Sequence, residues 1–130
     1  MKVLADTSVW SLALRRKEQS ETTRKLADLI LLSLVVMIGP VRQELLSGIS
    51  NENTFLKLKG KLEVFDDFPI ATSEYETAAR FHNICRKNGV QGSHTDFLIC
   101  AAAHNNSLLI FTTDMDFYGF AKHLPIRLLQ

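Results

Sequence analysis

The stretch Val3-Leu4-Ala5-Asp6-Thr7-Ser8-Val9-Trp10 decides the reading of this chain. Val3 to Ala5 is a short apolar run of strand type that ends at Asp6. A helix is expected from near Ser8, carrying Trp10, Leu12 and Ala13. Working outward, a charged loop (Arg15 to Gln19) leads to a helix over Glu21 to Ser33, with Leu26, Leu29 and Ile30 at helical spacing. Val35 to Ile38 is a β-branched run stopped by Gly39-Pro40. Pro40 suits the first turn of a third helix, which Gly48 closes. A helix over Asn51 to Gly60 is expected to end at its glycine, followed by extended pieces at Leu62 to Phe65 and Pro69 to Ala71.

Ser73-Glu74-Tyr75-Glu76 reads as a capping box, opening a helix with Tyr75, Ala78, Ala79, His82 and Cys85 on one face. Ser93-His94-Thr95-Asp96 reads as a second. The helix after it, Phe97 to His104, is apolar nearly all round and should be buried. A strand at Leu108 to Phe111, a turn at Asp114 to Asp116, a helix over Phe117 to His123 and a strand at Ile126 to Leu129 complete the chain. Strands alternating with helices give an α/β fold with a parallel sheet covered on both faces.

The functional crevice of such a sheet lies beyond the carboxyl ends of its strands. Asp6 ends the first strand, Glu44 lies in the helix after the second, Asp96 opens the buried helix, and Asp114 follows the strand at Leu108 to Phe111. Asp116 is close by. Each acid alone has an ordinary explanation: Asp6 as a loop acid at a strand end, Glu44 as a charge on a helix face, Asp96 as part of a capping box, and Asp114 and Asp116 as helix-start acids. Together they place carboxylates at one sheet edge, where they repel and raise one another's pKa values. A hard divalent cation such as Mg²⁺ or Mn²⁺ removes that conflict and can activate water against a phosphodiester.

The bulk numbers agree. At 130 residues the chain fits one domain, and 46% apolar with 22% charged residues is a globular composition. The net charge of +1 is a weak nucleic-acid footprint. With the four proposed site acids set aside as metal ligands, 15 cationic residues face 10 anionic ones, a surface a polyanion would meet as basic. The densest positive run is Arg15, Arg16 and Lys17, with Arg86-Lys87 a second, and either could hold RNA phosphates. Two cysteines and four scattered histidines form no zinc pattern. Met1 leads straight into a strand, and the longest apolar stretch, Leu29 to Ile38, is ten residues, so no membrane partner and a cytoplasmic location are expected.

Four segments carry a resemblance. Leu4-Ala5-Asp6-Thr7-Ser8-Val9-Trp10, Arg42-Gln43-Glu44-Leu45-Leu46-Ser47-Gly48, Thr95-Asp96-Phe97-Leu98-Ile99-Cys100-Ala101 and Thr112-Thr113-Asp114-Met115-Asp116-Phe117 resemble the four acidic motifs of the PIN domain family, more closely the VapC toxins of toxin–antitoxin pairs. The match spans nearly all of residues 1–130 as one domain. It implies a three-layer α/β/α fold with a central parallel sheet, and Mg²⁺- or Mn²⁺-dependent endoribonuclease activity. It also implies a cognate antitoxin that blocks the site, and a homodimer. Carried over by position, Asp6, Glu44, Asp96 and Asp114 are the metal-centred acids, Asp6 and Asp96 the direct ligands, and Asp116 a helper. Thr7 or Ser8 would fix the Asp6 rotamer by a hydrogen bond. An RNA-processing nuclease outside such a pair, and a non-catalytic scaffold that binds RNA or a partner, are the alternatives.

Two other aspartate chemistries fail on the residues. A haloacid-dehalogenase-type phosphatase needs a second acid two positions after the first, where Ser8 stands. A receiver domain needs a lysine just beyond a late strand, and none follows Phe111.

Overall fold

The computed structural model describes residues 1–15 and 20–130. Its elements run β1 (Val3–Ala5), α1 (Thr7–Arg15), α2 (Glu21–Leu31), β2 (Val35–Val36), α3 (Gly39–Leu46), α4 (Glu52–Leu62), α5 (Thr72–Lys87), α6 (His94–Asn105), β3 (Leu109–Phe111) and α7 (Asp116–Ala121). The sheet order is β2-β1-β3, all parallel, with Val3 opposite both Val35 and Leu109. Side chains alternate between the two faces of a strand. Val3, Leu4 and Ala5 are nevertheless all buried, so helices cover both faces of β1, the α/β/α arrangement expected.

Bridges Met37–Asp67 and Ile110–Leu128 carry the parallel order one step past each edge. The outer strand expected at Ile126 to Leu129 shrinks to a single bridge at Leu128; no strand forms at Pro69 to Ala71, and the bridge on that side falls earlier, at Asp67. Pro69 has no N–H to donate to a ladder. The expected strand at Leu62 to Phe65 is absent because α4 runs on to Leu62. Gly60 does not end that helix; it carries no left-handed backbone and is an ordinary helical residue.

Helix starts follow their caps. Ser20 accepts from the Thr23 N–H, Asn51 from Thr54, and Ser93 from Asp96. The α5 start differs from expectation. Ala71, not Ser73, is the N-cap, and Glu74, not Glu76, reaches back to the Ala71 N–H. Glu74 is buried between α5 and α6, where Ser73 and Asn105 donate to it, whereas Glu76 is exposed. The tertiary contact decides between two candidate boxes two residues apart. These hydrogen bonds hold the Glu74 carboxyl below its ordinary pKa.

The Ser93 box forms as read, and α6 buries Phe97, Ile99, Cys100 and Ala101 to Ala103. Phe97, Phe117 and Phe120 are fully buried, with the Phe97–Phe120 and Phe117–Phe120 ring centroids each 5.2 Å apart. Cys85 and Cys100 are free and buried, and burial pushes both thiols up. No helix among the described residues is long and apolar enough to cross a membrane.

Arg42 ties the loop after α4 to α3. Its guanidinium donates to Asp67 at 2.9 Å, to the Leu62 carbonyl at 2.9 Å and to the Phe65 carbonyl. Planar, multiply bonded arginine of this kind has no lysine or alanine equivalent. Arg42→Ala is expected to lower unfolding free energy by about 2–3 kcal/mol, since two carbonyls and a carboxylate lose a charged donor. Urea denaturation checks this; a midpoint unchanged from wild type would mean the clamp adds nothing.

Candidate functional site

In a parallel sheet every helix that follows a strand starts at the carboxyl edge, and a helix feeding the next strand runs back from that edge. Asp6, α3, the N-terminus of α6 and the turn after β3 are therefore brought to one side. Asp6 follows β1 directly, and its N–H donates to the Phe111 carbonyl of β3 at 3.0 Å. Its carboxylate is buried, only 3% exposed, and is fully engaged. Oδ1 accepts from Ser8 Oγ at 2.6 Å and Val9 N–H at 3.3 Å; Oδ2 accepts from Thr112 Oγ1 at 2.7 Å. Burial pushes the Asp6 carboxyl up, the three hydrogen bonds pull it back, and the charge of Asp114 adds a smaller upward push.

Glu44 is exposed on α3 and accepts from the Thr7 hydroxyl. So Ser8 holds Asp6 while Thr7 holds Glu44. Asp96 sits in the first turn of α6, half-buried. Its Oδ2 accepts from the Ser93 N–H at 3.0 Å. Burial pushes its carboxyl up, Ser93 lowers it, and Asp114 and Glu44 raise it further. Asp114 follows β3; its N–H donates to Thr112 Oγ1 and its Oδ1 accepts the Asp116 N–H, both at 2.9 Å. The fold thus brings Asp114 within electrostatic reach of Asp6 and Asp96, and Glu44 within reach of Asp96. Asp116 is exposed and starts α7.

This donor set fits a hard divalent cation. All four groups are oxygen donors, and among the described residues none of them pairs with a lysine or arginine. Among the described residues no three acid, imidazole or thiol groups close into a cage. Mg²⁺ takes one or two carboxylates and keeps several waters, so such a cage is not what it requires.

Two residues that sequence reasoning did not single out hold the site together. Thr112 bridges Asp6 and the Asp114 backbone, and Thr113 donates to Ser8 through N–H at 3.1 Å and Oγ1 at 3.0 Å. The signal was present as paired threonines directly after β3. Thr112→Val is expected to weaken Mn²⁺ binding by about 10–100-fold, with Thr112→Ser close to wild type. Isothermal titration reads this; equal affinity in the valine variant would remove Thr112 from the site.

Arg15 ends α1, exposed, while Arg16 and Lys17 fall outside the described residues. Arg15, Lys57 and Lys61 rim an apolar cavity of 330 Å³ whose walls include Leu14, Leu45 and Leu58. The α2 run splits: Leu26 is buried, while Leu31 and Leu32 are 83% and 66% exposed. His82 and His94, twelve residues apart in sequence, stack at 5.8 Å.

A family model described as the PIN domain matches residues 3–123. The fold is similar to FitAcB from Neisseria gonorrhoeae (TM-score 0.77, 22% identity, 98% of this chain and 96% of that one). It is similar to VapBC2 from Rickettsia felis, bound to a DNA fragment from its promoter (TM-score 0.78, 16% identity, 100% and 98% covered). It is also similar to a toxin–antitoxin complex from Klebsiella pneumoniae (TM-score 0.65, 16% identity, 91% and 92% covered).

Proposed function

The chain belongs to the PIN domain family, and on that footing we propose that it is a metal-dependent endoribonuclease, the toxin of a toxin–antitoxin pair. One observation carries the reading. Four acids from four separate segments lie toward the carboxyl edge of the sheet; burial pushes Asp6 and Asp96 up, the charge of Asp114 adds to both and that of Glu44 to Asp96, and none of the four pairs with a lysine or arginine among the described residues.

Asp6 and Asp96 would hold Mg²⁺ or Mn²⁺, with Glu44 and Asp114 supplying the remaining negative charge and positioning water. When bound there, the ion supplies a more acidic water and charge stabilisation at the phosphodiester. Asp6 is locked by Ser8, Thr112 and Val9, so its oxygens need no reorganisation. Glu44, exposed and hydrogen-bonded by Thr7, would accept a proton from water. Asp116 is a lesser contributor, one position into α7.

The partner reading is supported by the apolar cavity with its Arg15, Lys57 and Lys61 rim. An acidic, amphipathic antitoxin segment suits that combination, and the similar Klebsiella structure is a toxin–antitoxin complex.

Purified protein incubated with a structured RNA pool in Mg²⁺ or Mn²⁺ is expected to cut it, with EDTA abolishing cleavage and added metal restoring it. RNA cut equally well in EDTA would sink the metal reading. RNA left intact by folded protein in both metals would favour the binding scaffold instead.

A further inference from the structure

The corner between α5 and α6 holds a cavity of 330 Å³ lined by His82, Arg86, Val90, Gln91, Gly92 and Phe97. Its size is at the lower end of the roughly 300–1,000 Å³ usual for ligand pockets. The loop forming it is fixed by its backbone. Gly89 takes φ +73° and the Val90 N–H donates to the Cys85 carbonyl at 2.8 Å. Gly92 is pressed onto the core: a Cβ there would stand 2.6 Å from Phe120 Cζ and 3.0 Å from Phe97 Cζ.

The lining combines three chemistries. His82 packs edge-on against Phe97 at 5.5 Å and stacks with His94 at 5.8 Å and 17°, so it presents a flat, supported imidazole. Arg86 is exposed and makes no ion pair among the described residues. Gln91 is exposed and offers an amide with both donors and an acceptor. Gly92 and Phe97 flank the Ser93 to Asp96 cap in the chain, so two of the lining residues adjoin a segment that carries one of the site acids.

We infer that this pocket receives one nucleotide of single-stranded RNA, adjacent to the phosphodiester acted on by the carboxylates; the inference rests on the ribonuclease reading above. The base stacks on the imidazole pair, Arg86 meets a phosphate and Gln91 reads the base edge. Unpaired bases are recognised by stacking on histidine and by hydrogen bonds at their edges, and their phosphates by guanidinium. A free phosphate would need neither the stacked rings nor the amide.

The test is binding of a short, labelled single-stranded RNA in EDTA, where no cleavage intrudes, by fluorescence anisotropy across a salt series. Arg86→Gln is expected to weaken binding about five- to tenfold and to reduce the slope of log K against log salt by about 0.7. Gln91→Ala should weaken binding with the slope unchanged. Imidazole NMR signals of His82 and His94 should shift with RNA, and those of His104 and His123 should not. Wild-type affinity and slope in Arg86→Gln, no RNA binding by the wild type, or unmoved His82 and His94 signals overturn the pocket. If the wild type cuts RNA but Arg86→Gln is indistinguishable from it in binding, only the pocket fails. If the binding signature appears and Mg²⁺ or Mn²⁺ brings no cleavage, the ribonuclease reading fails, and with it the placement beside a cleaved phosphodiester, while nucleotide binding in the pocket stands.

Discussion

Asp96→Asn is expected to lower RNA cleavage by more than about a hundredfold while the protein stays folded. Substitutions that touch a metal site only through a neighbouring hydrogen bond already cost about 10–100-fold, and a direct ligand should cost more. The fold should survive because Asp96 has two separable jobs. One is to accept the Ser93 N–H at the start of α6, which an asparagine oxygen still does. The other is to bring negative charge beside Asp114 and Glu44, which asparagine cannot. Relief of that repulsion should leave the melting temperature unchanged or slightly higher. Matched initial rates in Mn²⁺, with circular dichroism melts, separate the two jobs. Cleavage within about threefold of wild type would show that Asp96 is only a cap.

Phe97→Ala is expected to act in the opposite way, on the fold rather than on charge. Phe97 is 1% exposed and meets Phe120 at 5.2 Å and His82 at 5.5 Å. Truncating a buried phenylalanine costs about 3–5 kcal/mol through lost transfer energy and the cavity left behind. Domains of this size hold about 5–15 kcal/mol in all. The melting temperature should fall by roughly 10–20 °C. Gly92 presses on the Phe97 and Phe120 rings, so the same change should loosen the loop beside Asp96. A fall of less than about 5 °C would mean the aromatic cluster collapses to fill the hole.

The central elements were legible because each carries a local signal. β1 and β3 are apolar runs that stop at polar residues, and α6 is apolar all round behind a Ser–Asp cap. The edges were not, because a strand reduced to one bridge leaves no periodicity to read. Nor was the α5 start, where Ser73 and Ala71 compete and Asn105, thirty-one residues beyond Glu74, settles the matter. At the site, the position of the acids followed from the α/β rule alone. Their hydrogen-bond partners did not: nothing in the order Thr7-Ser8 says which hydroxyl turns to Asp6 and which to Glu44. The Arg42 clamp was equally hidden, since its carbonyl acceptors carry no residue identity.

Pairing of the first strand with the last has a consequence for synthesis. Asp6 leaves the ribosome early, but the hydroxyl that completes its hydrogen bonding comes from Thr112, 106 residues later. At about 5–20 residues per second that interval lasts roughly 5–20 seconds. Until β3 inserts beside β1, Asp6 has no backbone partner in Phe111 and no bridge to Asp114. The carboxylates gathered at this sheet edge are therefore complete only late in synthesis, after nearly all of the chain has been made.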